Sequence, residues 1–274
     1  MNASVPLAPA LLDTLVGRLA AGLVLATAVA LLARRARALS PGGAGAALAT
    51  GALALGAGWS WGVLLVVFFV ASTLISRPGA AVRAARTSQV VAKGGERDAV
   101  QVLANGGLFA VAALGAIVLP HPLWGAAALG ALAAATSDTW ATEVGTLARG
   151  RPRSVVTWRP VPHGTSGGVT VQGTLASLVG AAFVPGVALV LGWEPWAALA
   201  GAVGGFAGAT ADSLLGGTLQ ARRWCERCSM ATERNVHGCG EPTRPAGGLG
   251  WLDNDVVNAL ATAVGAAVAV ALRA

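Results

Sequence analysis

An all-α integral membrane protein, a polytopic bundle of 7–8 transmembrane helices with both termini outside, is the fold class this sequence predicts. Three observations predict it. Only 11% of the 274 residues are charged, against about 25% in soluble domains, while 55% are hydrophobic and the mean hydropathy is +0.66. Apolar stretches long enough to cross a bilayer recur along the whole chain. The basic residues between those stretches alternate from loop to loop. Thirty-eight glycines suit helices packed closely within a membrane, where small residues let backbones approach.

Taken in order, the expected spans are residues 10–33, 43–58, 59–76, 98–119, 122–147, 167–191, 195–220 and 251–272. A span needs about 20 apolar residues, so 43–58 is marginal and reads equally as a re-entrant segment. Residues 1–274 form one transmembrane domain, with 221–250 a cytoplasmic Cys/His loop inside it. The N-terminal apolar stretch is too long for a secretory h-region and no basic n-region precedes it.

Arg34, Arg35 and Arg37 follow the first span, and Arg77, Arg83, Arg86, Lys93 and Arg97 the third. Arg149, Arg151, Arg153 and Arg159 follow the fifth, and Arg222, Arg223, Arg227, Arg234 and Arg244 the seventh. The intervening turns carry no Lys or Arg, which leaves only Arg18 and Arg273 off the basic side. The positive-inside rule makes that side cytoplasmic and places the chain in the cell (inner) membrane, with any active site facing the cytoplasm. Trp59, Trp61, Trp124, Trp193 and Trp196 gather at the opposite ends as interfacial anchors. Every basic cluster abuts a hydrophobic span, which argues against nucleic acid as a partner and for the lipid bilayer.

Three carboxylates then stand out: Asp138 and Glu143 in ALGALAAATSDTWATEVGTLA, and Asp212 in ALAGAVGGFAGATADSLLGGTLQ. An ionisable group inside a span is costly unless paired, which makes it a functional candidate. On the expected topology Asn105, Asp138, Glu143 and Asp212 lie in the cytoplasmic halves of their spans. Asp253, Asn254 and Asn258 open the last span at the same depth. Oxygen-only donors of this kind suit Mg²⁺, which keeps waters and binds substrate phosphates. A structural acid–arginine pair or an ion pathway would use such acids too, although no comparable acids continue toward the outer face.

Three loops add to this layer. In RPVPHGTSGGVT, Thr165, Ser166, Gly167 and Gly168 are expected to open a helix whose N-terminus either receives phosphate or only packs closely, with His163 a phosphate ligand or a solvated loop residue. In KGGERDAVQVLANGG, Lys93 precedes Arg97, Gln101 and Asn105, which recur at i, i+4 and i+8 as a polar stripe for a phosphate head group. In CERCSMATERNVHGCG, Cys225, Cys228, His237 and Cys239 offer three thiolates and an imidazole. That composition fits a closed structural zinc site; a redox pair or free thiols are the alternatives.

The strings KGGERDAVQVLANGG, SDTWATEVG, VPHGTSGGVTVQGT, DSLLGGTLQ and LDNDVVN occur together, in this order, over residues 40–272. In this the chain resembles the integral-membrane phytyl-phosphate kinase family, long catalogued as a membrane family of unknown function. Asp138, Glu143, Gly167, Gly168, Asp212, Asp253, Asn254 and Asn258 fall on that family's motif positions, and the Cys/His loop resembles a feature of its prokaryotic members. Asp255 replaces the second Asn of the LDNN string found in many relatives.

The resemblance implies phosphoryl transfer from a nucleoside triphosphate, CTP or ATP, to a polyprenyl (phytyl or geranylgeranyl) monophosphate. Asp138, Glu143, Asp212 and Asp253 would hold Mg²⁺ and triphosphate, while Asn105, Asn254 and Asn258 complete the oxygen shell. Phosphates would meet Lys93, Arg97 and the Gly167–Gly168 segment. The other readings are a membrane nucleotidyltransferase acting on a lipid phosphate, and a transporter or lipid-phosphate carrier.

Overall fold

The computed structural model describes residues 14–273. Its helices, in chain order, are α1 (Leu15–Arg35), α2 (Pro41–Ala57), α3 (Trp59–Ile75), α4 (Ala80–Thr87), α5 (Ala99–Val118), α6 (Leu123–Leu147), α7 (Val171–Val190), α8 (Pro195–Thr218) and α9 (Asn254–Ala271). Each expected span coincides with one of them; the stretch 10–13 of the first lies outside the described residues. Local chemistry sets their starts. The Ser40 hydroxyl accepts from Gly43 N–H and Pro41 occupies the first turn of α2. Asp98 and Gln101 form a reciprocal capping box on α5.

By length and composition five helices can cross a membrane: α1, α5, α7, α8 and α9. The number becomes six if α3 and α4, bent by 76° at a short break, count as one span. This is fewer than the seven or eight expected, for two physical reasons. α2 and α3 have 17 residues each, the short end of the spanning range. α6 has 25 residues but carries Thr, Ser, Asp and Glu in its second half. It packs against α5, α7, α8 and α9, so it meets protein and can be less apolar than a lipid-facing helix.

Glycine makes that packing possible. A Cβ at Gly130 of α6 would collide with the Gly265 carbonyl of α9, and one at Gly204 of α8 would strike the same carbonyl. Gly201, Gly205 and Gly208 of α8 likewise sit against Leu129, Ala133 and Ala134 of α6. Backbones touch here, and dispersion and close fit replace the hydrophobic effect that drives packing in water. A buried Ser137–Ser177 hydroxyl pair (2.7 Å) ties α6 to α7.

At the opposite end from the arginine loops the tryptophans gather as expected. The Trp61 ring lies 5.1 Å from that of Trp193 and 5.6 Å from Phe109. Two small antiparallel sheets qualify the all-α expectation, and both belong to the loops. β1 (Arg153–Ser154) pairs with β2 (Gly168–Val169), and β3 (Arg222–Cys225) lies between β4 (Met230–Thr232) and β5 (Arg244–Gly247) inside the Cys/His loop.

Candidate functional site

Close packing of α6 on α8 brings Asp138 and Asp212 together. Their carboxyl groups lie within hydrogen-bonding reach of each other, and Oδ2 of Asp212 is buried without a partner. Two acids held side by side with an unsatisfied oxygen form a place that calls for a cation or a shared proton.

Glu143 is engaged elsewhere. One turn and a half further along α6, it makes a salt bridge to Arg83 Nε (2.5 Å) and accepts from the Ser76 hydroxyl (2.7 Å). Ser76 and Arg83 flank the α3–α4 bend, so this carboxylate pins the bend to α6. Asp253 is also committed in part: it caps α9 by accepting from Val256 N–H (3.0 Å). The four acids expected to share a magnesium shell are therefore not within reach of one ion. Helix phase and local capping separate them, and Asp138 and Asp212 alone make a direct pair. Asn254 is exposed in the first turn of α9 and Asn258 is half-buried one turn on.

A further carboxylate joins the pair from outside the helices. Glu233, just beyond β4, accepts hydrogen bonds from the Ser166 hydroxyl and from Gln220 Nε2 (2.8 Å). It also interacts electrostatically with Asp212 and with Asp253. Burial pushes its carboxyl above the usual range, against the opposing pull of the Ser166 and Gln220 bonds. The sequence reading missed it. In a loop that also holds Glu226, Arg227 and Arg234, nothing marks one acid as turned inward.

The expected helix start at Gly167–Gly168 needs correction. Gly168 lies in β2, and α7 begins after Thr170, whose hydroxyl accepts from Gly173 N–H (3.0 Å). The pairing of β2 with residues far upstream outcompetes local helix formation. Gly167 has φ +75° and sits so close to Gly217 of α8 that any Cβ would meet that backbone. Thr165 remains in the same tight turn, its carbonyl accepting from Gly168 N–H (2.9 Å), and Ser166 serves Glu233. His163 presents a buried, unpartnered Nδ1; burial, then Arg86 and Arg151, lower its pKa.

The polar stripe is also reordered. Arg97 precedes the α5 cap rather than lying on the helix. Its guanidinium donates to the Thr73 hydroxyl and the Ser72 carbonyl (3.3 Å each). Gln101 spends its side-chain oxygen on the capping box, and Asn105 donates to the Gln101 carbonyl (3.1 Å). Lys93 bonds Asp98 (2.8 Å) and the buried Asp255, which gives Asp255 a role: it ties the loop before α5 to the start of α9.

Arg97, Gln101 and Asn105 nonetheless share a boundary. With Thr50, Ser72 and Thr139 they line a cavity of about 400 Å³ whose remaining walls are apolar residues of α1, α2, α3 and α5 and of the α1–α2 turn. Thr139 follows Asp138 in α6, while Asp138 and Asp212 themselves are not among the residues lining the cavity.

The Cys/His loop forms a compact cluster. The candidate ligand atoms of Cys225, Cys228, His237 and Cys239 all lie within 4.8 Å of one another. Cys225 Sγ is 3.7 Å from Cys239 Sγ, and His237 Nδ1 is 3.3 Å from Cys239 Sγ. The His237 contact lowers the Cys239 thiol to about 6, while the Cys239 contact raises Cys228 to about 11. Among the described residues this is the one group of three or more His, Cys, Asp or Glu gathered so tightly.

A bundle with acids buried between helices and arginine-rich loops at one end defines a multi-pass integral membrane protein with a polar site at its basic end. The chain belongs to the family described as Integral membrane protein DUF92, which it matches over residues 24–266. It is 28% identical to Protein PGR of Arabidopsis thaliana over 88% of this chain and 91% of that one. An uncharacterized membrane protein of Methanocaldococcus jannaschii is 32% identical over 78% of this chain and 76% of its own. Another, from Synechocystis, is 30% identical over 79% and 75%. No solved structure matches.

Proposed function

We propose that the protein is a membrane kinase that transfers a phosphoryl group from CTP or ATP to a polyprenyl monophosphate, phytyl or geranylgeranyl, to give the diphosphate. One observation carries this reading: an apolar cavity of about 400 Å³ has on its wall both Arg97 and Thr139, the residue that follows Asp138 in α6. A prenyl chain fits such a cavity by burying apolar surface, and a guanidinium at its polar end suits a phosphate. The motif resemblance points the same way, and the family membership agrees with a site inside a membrane protein.

Hard oxygen donors and the unsatisfied Oδ2 of Asp212 fit Mg²⁺, which binds through one or two carboxylates plus substrate phosphates. Asp138 and Asp212 would hold it. Bound there, the ion would neutralise triphosphate charge. The chain's own contribution is positioning and electrostatics, which dominate phosphoryl transfer. Arg97 orients the acceptor phosphate, and Thr139 shares the cavity wall with it. Lys93 and the His163–Gly168 loop, backed by Arg86 and Arg151, receive the nucleotide phosphates. An acceptor phosphate is already anionic at neutral pH, so its attack on the γ-phosphorus needs no general base. Glu143 holds the α3–α4 bend so that Arg97 and the cavity keep their alignment.

In this reading the basic loops and the site face the cytoplasm of a cell membrane and both termini lie outside, as the loop charges require. The test is purified protein in nanodiscs with Mg²⁺, a panel of triphosphates and prenyl monophosphates, and products read by mass. A prenyl diphosphate with release of a nucleoside diphosphate is the expected result. A nucleotidyl–lipid adduct with pyrophosphate would replace the kinase by a nucleotidyltransferase, and lipid flux in liposomes without nucleotide consumption would leave a carrier.

A further inference from the structure

The cysteine cluster and the carboxylate pocket meet through a single residue. Zinc bound tetrahedrally with Zn–S bonds of about 2.3 Å places its sulfurs roughly 3.8 Å apart, and Cys225 and Cys239 stand at 3.7 Å. The fourth donor is in hand: His237 is almost fully buried and turns Nδ1 to Cys239. Between ligands Cys228 and His237 the chain runs through β4 and then Glu233. That stretch is stapled to the segment after α4, with Glu233 N–H donating to Val90 O (2.8 Å) and the Thr232 hydroxyl to Gln89 O (2.8 Å). Past this staple Glu233 turns inward to Ser166, Gln220, Asp212 and Asp253.

We propose that Cys225, Cys228, His237 and Cys239 bind one Zn²⁺ whose work is to close the 228–237 loop and hold Glu233 near Asp212, where its charge strengthens the hold of the Asp138–Asp212 pair on the divalent cation. The role given to Glu233 rests on the metal–phosphate reading of that pocket; the zinc site does not. Three things support the link. A sheet of three strands only three or four residues long is a weak scaffold in water, and a closed metal knuckle supplies fold energy. Oδ2 of Asp212, whose carboxyl feels the charge of Glu233, is buried with no hydrogen-bond partner. Ser166 and Gln220 both donate to Oε1 of Glu233 and the Ala92 backbone also bonds this carboxylate, an arrangement that fixes its orientation.

The experiment measures two things on the full chain in detergent: zinc per chain by elemental mass spectrometry, and affinity for Mn²⁺, as a paramagnetic substitute for Mg²⁺, by electron paramagnetic resonance. Wild type should carry one zinc and bind Mn²⁺. Glu233→Gln keeps the hydrogen bonds to Ser166 and Gln220, so it should retain zinc yet bind Mn²⁺ about tenfold more weakly. Cys225→Ser with Cys228→Ser should lose zinc and weaken Mn²⁺ to the same degree, and adding Glu233→Gln to that pair should change nothing more.

If the cysteine variant does not fold, stripping zinc from wild type with a selective chelator takes its place. Mn²⁺ affinity should fall and return when zinc is restored, with helicity unchanged by circular dichroism. Zinc-free wild type overturns the metal site. Unchanged Mn²⁺ binding in Glu233→Gln, or additive losses in the combined variant, overturns the link. Zinc-loaded wild type that binds no Mn²⁺ overturns the pocket reading and the role of Glu233 while the zinc site stands.

Discussion

Between α6, α8 and α9 there is no room for a single methyl group at Gly130, Gly204 or Gly265, whereas among α1, α2, α3 and α5 a cavity of about 400 Å³ is open. The two sides use the same small, apolar alphabet for opposite ends. On the first side glycines bring backbones into contact, and Asp138 and Asp212 are fixed relative to each other by helices that cannot slide. On the second side Gly106 faces open space, so its missing side chain adds to the volume of the cavity. The proposed reaction between a soluble nucleotide and a lipid phosphate would use both: a rigid wall for charges and a loose chamber for a chain of methylenes.

The sharpest way to break that contrast is to crowd the tight side. Gly265→Leu must displace the Gly130 backbone, so a loss of about 3 kcal/mol or more is expected, seen as failure to purify as a monodisperse species. Asp212→Asn comes next. It leaves the packing intact, so the protein should elute and melt like wild type while turnover falls by at least about 10²-fold. Turnover retained in that variant would remove Asp212 from the chemistry.

Gly106→Leu tests the loose side. The leucine fits the cavity and improves helix propensity, so stability should hold or rise while KM for the prenyl phosphate increases about tenfold. KM for the nucleotide should stay as it was. An equal rise in both would mean the cavity does not house the lipid.

The smallest effect concerns His163, whose folded pKa lies below its ordinary 6.5 because of burial and of Arg86 and Arg151. As pH falls from 7 toward 5 the unfolded chain takes up this proton more readily than the folded one. Stability present above about pH 6.5 is therefore lost, by under about 2 °C in Tm, and His163→Gln should flatten that slope.

The tight side was largely legible in the sequence, the loop end less so. An acid inside an apolar run is conspicuous, and so Asp138, Glu143 and Asp212 stood out. What each touches was not legible. The partner of Glu143 is Arg83, across a bend between α3 and α4 that no periodicity announces. Thr170 and Ser166 are both hydroxyl residues ahead of the same apolar run. Only the pairing of β2 with β1 decides that Thr170 caps α7. Glu233 escaped because a polar loop hides an inward-facing acid among outward-facing ones. The cysteine loop was readable from spacing, since CxxC and HxC constrain their ligands locally.

One contact has mechanical weight. At Gly167 the loop bearing Thr165 and Ser166 rests with no side chain between it and α8, against Gly217 and the carbonyl of Ser213, the residue next to Asp212. A joint without side chains has almost no compliance. Whatever pulls the loop toward a bound anion must carry that part of α8 with it as one stiff strut. The turn and the acid therefore advance or retreat together, and a substrate that engages the loop sets the carboxylate at the same stroke.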